Sequence, residues 1–478
     1  MSDFNEKEIN DALLESKESD FKRTFRIKEK RAKVSYDIAA HLIKKYYVKT
    51  ISGKKLREVF VYREGVYVPG EDILRKEVQE LLEELCTTHY SKEIIEIVKN
   101  RTVMDRKEFS VDKNLTNLNN GVLDIGTGEI APHNPEHLFF SKIPINYDKS
   151  ADCPKIKRFL AGIFIQDENK IQIIQEWLGY ALYREYFIKK AIIFVGEGNT
   201  GKTTLISLST AFIGKENISS ASLQQICSDK FAVAQLYTKH LNICDELSFS
   251  NVKDGGKFKI VTGGGIIAGE YKFGDQFVFE NYAKLTFACN KIPDVKDAND
   301  DAYFSRWIVI QFNKVFTDEE QDKQLIHKLT TAEELSGLLN FVLEGLKRLL
   351  KKQGISYHKD PDQIKSEMLR SGSPVANFAY DCLEREDNAW ISKENMHATF
   401  IEYTRSNDFP ADPIEEFGRK LPKYADYLFS SRKQMINTLT GQDKQFTGWR
   451  NVRFKIKEGS LQDNKLDPPI AETSSEVK

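Results

Sequence analysis

The sequence predicts an α/β protein built around a phosphate-binding core, with an α+β region before it and a helix-and-hairpin domain after it. Three observations point there. An apolar run, Ile192-Ile-Phe-Val, passes straight into Gly196-Glu-Gly-Asn-Thr-Gly-Lys-Thr. Two further apolar runs follow, one ending in Asp245-Glu246 and the other in Asn290. Between residues 375 and 456, helical spacing gives way to alternation rich in Lys and Arg.

The first observation fixes the ligand class. Gly196, Gly201, Lys202 and Thr203 fit G-x-x-x-x-G-K-[ST]. Glycines let the backbone curl so that its N–H groups face a triphosphate. The loop, Gly196, Glu197, Gly198, Asn199, Thr200, Gly201, Lys202, Thr203 and Thr204, is therefore the expected ATP cradle. Lys202 is placed to reach the β and γ phosphates, Thr203 to hold Mg²⁺. The helix expected from Thr203 adds its positive amino end.

A phosphate loop alone does not separate kinase, GTPase, transporter ATPase and helicase. The downstream order narrows the choice. Leu241-Asn-Ile-Cys-Asp-Glu reads as a strand beside the loop, with Asp245 near Mg²⁺ and Glu246 orienting the attacking water. Lys284-Leu-Thr-Phe-Ala-Cys-Asn ends in Asn290, whose amide can hydrogen-bond both γ-phosphate and water. Arg306 offers a planar guanidinium to charge on the transferred group. Between these strands, Lys272 and Phe273 sit at the turn of an expected hairpin, a plausible hand for a phosphate backbone.

Composition bounds the rest. The chain has 478 residues, enough for about three domains. It is 40% hydrophobic and 29% charged with a net charge of −1, so nucleic-acid contacts need local basic patches. No apolar run approaches the roughly 20 residues of a membrane helix, and no signal peptide is expected at Met1. Six cysteines lack any C-x-x-C pair, which suits reduced thiols in a cytosol.

The expected organisation begins with a charged arm, 1–34. It reads as a solvated helix, with a nucleic-acid-touching arm as the alternative. An α+β domain spans 35–150, including a hairpin at 57–69, helical spacing over 72–100 and a small β unit over 115–147. A helical segment, 151–189, precedes the core at 190–315. Residues 316–374 read as helix and then polar linker. At 375–456, Ser392 caps a helix through Met396, Phe400 and Tyr403, a second helix faces Lys420 and Lys423 outward, and a hairpin carries Arg432 and Lys433. Helix, helix and basic hairpin outline a winged helix, with DNA or a DNA fork as the expected partner. The tail, 457–478, is expected to be disordered.

The order strand–loop–helix, Asp-Glu strand, Gly-Gly hairpin, Asn strand, Arg resembles the superfamily 3 helicases, compact AAA+ enzymes of small viruses, phages and plasmids. Upstream, Asn120-Gly-Val-Leu-Asp-Ile-Gly-Thr-Gly-Glu, Pro132-His-Asn-Pro-Glu-His-Leu-Phe-Phe and Glu176-Trp-Leu-Gly-Tyr-Ala-Leu resemble the segment before the ATPase in phage and plasmid primase-helicases, relatives of the poxvirus primase-helicase. The resemblance implies an AAA+-type core and an ATP-dependent replicative helicase that forms a hexameric ring and moves 3′ to 5′ on single-stranded and forked DNA. It makes Glu246, Asn290, Arg306 and Lys202 the catalytic set, Thr203 and Asp245 the Mg²⁺ holders, and Arg306 a finger into a neighbouring subunit. Lys272 becomes the DNA-gripping hairpin residue, although the second hairpin-tip base of some viral relatives is replaced by Phe273-Gly274. A separate primase or polymerase in the host cytoplasm is implied, with no membrane. The rival expectations are a DNA-packaging or origin-remodelling ATPase that does not unwind, and a non-enzymatic origin-binding assembly factor.

Overall fold

The computed structural model describes residues 31–53, 57–109, 111–245, 255–272, 274–292, 301–407, 409–436 and 443–455. These fall into two compact units. One comprises residues up to 246 together with 254–288 and 310–357, and the other comprises 247–253, 289–309 and 358–478.

The first unit opens with helix α1 (Arg31–Tyr46), strands β1 (Lys49–Ile51), β2 (Glu58–Arg63) and β3 (Val66–Pro69), helices α2 (Glu71–Leu82) and α3 (Thr88–Arg101), and strand β4 (Val103–Met104). The sheet order is β3-β2-β1-β4, antiparallel except where β4 runs parallel to β1. Its core is the apolar stripe of each helix. Ile38 and Leu42 from α1, Leu74 and Val78 from α2, and Ile94 and Val98 from α3 are fully buried with Val61. The helical spacing over 72–100 resolves into two helices. Thr87 starts the second by accepting from Tyr90 N at 3.1 Å. The small β unit is a three-stranded meander of β5 (Leu115–Leu118), β6 (Gly121–Asp124) and β7 (Ile130–Ala131).

Helices α4 (Pro154–Ile163) and α5 (Glu168–Leu182) lead to strand β8 (Ala191–Val195), all five residues of which are buried. A run apolar on both faces is what a covered interior strand requires. Then come α6 (Lys202–Ile213), β9 (Ile218–Ser219), α7 (Leu223–Ser228), α8 (Lys230–Ala234), β10 (Leu241–Cys244), the hairpin β11 (Ile266–Glu270) and β12 (Gln276–Glu280), β13 (Lys284–Cys289), β14 (Trp307–Gln311) and α9 (Ala332–Lys352). The main sheet has the order β14-β8-β13-β10-β9. Strands β9, β10 and β13 are parallel, with Leu241 opposite Lys284 and Cys244 opposite Phe287. Phe312 N donates to Val195 O at 2.7 Å, so the carboxyl ends of β14 and β8 adjoin.

The acid-ended strand β10 does not pair with β8, the strand that leads into the loop; β13 lies between them. Linear sequence orders strands in time, and only pairing orders them in space.

Helix α9 packs along α5 through glycines. A Cβ on Gly179 would come within 2.3 Å of Val342 O, and one on Gly345 within 2.7 Å of Gln175 C. Glu334, on the first turn of α9, accepts from Lys155 N and Ile156 N at 3.2 and 3.1 Å and so caps α4.

In the second unit, α10 (Pro361–Gly372) occupies a stretch that reads as polar linker. Three local signals outweigh that polarity. Asp360 and Gln363 form a capping box, Pro361 opens the first turn, and Ile364 and Met368 bury one face. Helix α11 (Pro374–Cys382), β15 (Leu383–Ser392), α12 (Lys393–Ser406), α13 (Ile414–Lys420), β16 (Phe429–Ile436) and β17 (Asp443–Phe454) follow. The sheet is antiparallel in the order β15-β17-β16. Its core joins Phe378, Phe400, Phe417, Leu421 and Val452, with Phe400 stacked on Phe417 at 4.5 Å. Ser392 caps α12 through Asn395 N at 3.1 Å.

Candidate nucleotide site and nucleic-acid surfaces

The loop Gly196–Gly201 is shaped by what cannot fit there. Gly201 has φ +88°, and a Cβ on it would lie 2.6 Å from Ile163 Cγ2 of α4. A Cβ on Gly196 would lie 2.7 Å from Phe312 O. Asn199 also takes a left-handed φ of 60°, which Asn tolerates better than most residues. Its carbonyl accepts from Phe316 N at 2.9 Å, tying the loop to the segment after β14.

Helix α6 begins at Lys202, one residue earlier than its sequence suggests. The Lys202 ammonium is buried and folds back over the loop. It donates to Glu197 O at 2.6 Å, to Thr200 Oγ1 at 3.2 Å and to Gly196 O. Thr200 is buried and donates to Glu197 O at 3.0 Å. The loop, the lysine and the helix amino end are thus one hydrogen-bonded piece, which is the arrangement that binds anions. Thr203 and the loop tip, Glu197 to Asn199, are exposed, and Thr204 is half-buried.

Asp245 is exposed at the carboxyl end of β10, in the same unit as Lys202. Glu246 lies outside the described residues. Asn290 and Arg306 belong to the second unit. Asn290 is exposed just past β13. Arg306 is half-buried after the short helix Asp301–Phe304, and its N–H donates to Tyr303 O at 3.2 Å.

The hairpin pairs Ile266 with Glu280 and Glu270 with Gln276. Its inner face is Ile267, Gly269, Phe277 and Phe279, while Ile266, Ala268 and Val278 are exposed. Lys272 is exposed at the tip, and Phe273 lies outside the described residues. In the second unit, Arg432 and Lys433 stand exposed on β16 and Lys423 is exposed after α13. No ion pair to these three is found among the described residues. Lys420 differs from its expected outward placement. It is half-buried and bonded to Asp412 at 2.8 Å and Glu416 at 2.9 Å, so its charge is met locally.

A buried basic cluster was invisible in sequence. Lys284 opens β13 fully buried. It donates to Tyr282 O at 2.8 Å, Glu185 O at 3.0 Å and Tyr183 O, and lies over the Tyr180 ring at 4.1 Å. Burial pushes its ammonium well below the usual lysine range. His240, just before β10, bonds Ala181 O at 2.8 Å through Nδ1 and Ser141 Oγ at 3.0 Å through Nε2. Burial, then the nearby Arg184 guanidinium, holds its pKa down at about 3. Arg184 donates to Ser141 Oγ at 3.2 Å. Nothing in the local sequence marks these three as neighbours. Arg106 is equally silent in one dimension.

No group of three or more His, Cys, Asp or Glu side chains at metal-holding distance occurs among the described residues. No described helix is long and apolar enough to cross a membrane.

Comparison with known proteins covers most of the chain. Residues 194–306, from the loop strand to Arg306, match a family of unknown function (DUF5906). The solved apo structure of the NrS-1 C terminal region is 15% identical, covering 89% of this chain and 100% of that one with a TM-score of 0.48. An A form apo structure of the same region is 14% identical, covering 87% and 99% with a TM-score of 0.47. Residues 19–165 match the family described as D5 N terminal like, so the chain is similar to that family over the region that leads into its α/β core.

Proposed function

We propose that this protein is an ATP-dependent DNA helicase of a mobile element, acting as a ring of identical subunits during replication. The observation that carries the reading is the Lys202 ammonium, buried against Gly196 O, Glu197 O and Thr200 Oγ1 at the amino end of α6. Glycines stand at the two positions where a side chain would collide with neighbouring structure. Such a cradle suits the phosphates of ATP, and the similarity of residues 19–165 to the D5 N terminal like family supports a place in replication.

When bound, ATP and Mg²⁺ supply the scissile phosphoryl group and neutralise its charge. Lys202 would exchange its loop carbonyls for phosphate oxygens. Thr203 and Asp245 would hold the metal, and Glu246 would orient water. Asn290 would report the γ-phosphate, and Arg306 would serve the site of an adjacent subunit. Lys272 and Phe273 on the hairpin, and Lys423, Arg432, Lys433 and Lys420 in the last domain, would meet DNA, with Lys420 first leaving its acidic partners. The unit of α11 to β17 runs helix, strand, helix, helix, strand, strand, an order that suits a winged helix. A hexameric ring, 3′ to 5′ movement, a separate primase or polymerase, and work in the host cytoplasm belong to the same proposal.

The test is ATP turnover with Mg²⁺ by wild type and Lys202→Ala. Turnover is expected to fall at least a hundredfold, on the scale of losing a group that stabilises transition-state charge. Undiminished turnover would remove the loop from the mechanism. Strand separation by wild type on a forked duplex then separates unwinding from packaging or remodelling.

A further inference from the structure

The hairpin is held at its root by an arginine from the N-terminal region. Arg106 follows β4 in a tight turn fixed by a capping box. Lys107 N donates to Asp105 Oδ1 at 3.1 Å, and Asp105 N donates to Glu108 Oε1 at 2.8 Å. The guanidinium is ion-paired with Glu58 at the start of β2. It also lies 4.6 Å from the centre of the Phe277 ring on β12 and 5.2 Å from that of Tyr237, which follows α8. A planar guanidinium can lie against aromatic faces while its N–H edge meets a carboxylate, a combination that a compact ammonium matches less well.

From that point an unbroken set of ring contacts reaches the tip. Tyr237 meets Phe277 at 5.3 Å, and Phe277 meets Tyr271 at 5.0 Å, next to Lys272. In the other direction Tyr237 meets Phe140 at 6.2 Å, and Phe140 stacks on Phe109 at 4.3 Å, inside the N-terminal region. The opposite strand is held separately. Gly269 of β11 crosses α8 so closely that a Cβ would lie 2.9 Å from Ala234 Cα, and Lys230 pairs with Glu270 at 2.5 Å. β11 is therefore fixed to the nucleotide-binding core, and β12 is fixed to that core through Tyr237 and to the N-terminal region through Arg106.

We propose that Arg106 is the positioning residue of the hairpin tip, setting where Lys272 is presented to a nucleic-acid backbone. The functional part of this inference rests on Lys272 touching DNA; the brace itself does not. Arg106 acts through the aromatic rings. It fixes Phe277, Phe277 fixes Tyr271, and the tip follows.

The experiment is amide hydrogen exchange over residues 266–280 of the full chain, beside ATP turnover with and without single-stranded oligodeoxythymidylate. For Arg106→Ala, exchange in the hairpin is expected to rise about tenfold, the size of one lost cation–aromatic clasp, with exchange in β8 and α6 unchanged. The oligonucleotide concentration giving half-maximal stimulation is expected to rise severalfold while turnover without DNA holds. Arg106→Lys keeps the pairing with Glu58 and is expected to recover part of both effects. Phe277→Leu removes the ring from the other side and gives a second readout should Arg106→Ala not fold. Hairpin exchange unchanged in both variants overturns the brace, as does a loss of DNA-free turnover in step with stimulation. Lys272→Ala separates the two claims. If it leaves DNA stimulation intact while Arg106→Ala still loosens the hairpin, the DNA contact fails and the brace stands.

Discussion

Glu176 on α5 accepts from Arg348 Nε on α9 at 2.6 Å, and its side chain has no exposed surface. Ser356 completes the pocket, donating its N–H at 2.6 Å and its hydroxyl at 2.8 Å to the same carboxylate. Arg348 also reaches Gln175 Oε1 at 2.8 Å. Gly179 and Gly345 bring the two helices close enough for this pairing.

Removing the arginine leaves a buried carboxylate without its counter-charge, held only by the Ser356 donors. Arg348→Ala is expected to destabilise the first unit by about 3 kcal/mol, the low end for breaking a buried pair. The urea midpoint, followed by circular dichroism, measures it. A change under about 1 kcal/mol, the scale of an exposed pair, would mean that solvent reaches Glu176.

His240 gives the fold a pH dependence of known sign. Its folded pKa, about 3, lies below the ordinary 6.5, so the unfolded chain takes up a proton that the folded one refuses. The stability it contributes is whole above pH 6.5 and is lost as pH falls from 6.5 toward 3. From pH 7.5 to 5.5 the loss from this group alone is about 1.4 kcal/mol. His240→Gln should flatten that part of the profile while lowering stability at pH 7.5. An unchanged slope in the variant would assign the dependence elsewhere.

Gly201→Ala tests the cradle without touching a charge. The added methyl meets Ile163 Cγ2 at 2.6 Å, in a backbone conformation with φ +88°. A fluorescent ATP analogue should bind at least tenfold more weakly, in line with backbone strain of 1–3 kcal/mol, roughly. Wild-type affinity would show that the phosphates lie elsewhere.

Arg306 tests sharing between subunits. Mixtures of Arg306→Ala with wild type should lose turnover more steeply than dilution if each site needs a neighbour's arginine. A linear decline would confine Arg306 to its own chain.

Several parts of this architecture are legible without coordinates because their causes are local. Ser392 and Asp360 announce helix starts within three residues, and the apolar 192–195 run leads into the glycines that shape the loop. The α10 helix hides behind a polar composition that its capping box and its buried Ile364–Met368 face outweigh.

What the chain settled by itself was therefore whatever neighbours along it decide: the loop, the caps, the helix and strand periods, and the α/β class. Folding decided what distant residues do together. It placed β13 between β8 and β10, buried Lys284 and His240 among carbonyls, gave Lys420 its acidic partners, and set Arg106 against Phe277. Arg348 and Glu176 meet across 172 positions, and no periodicity records such a meeting. Its energy comes from excluding water around two charges, which exists only once the surrounding helices have packed.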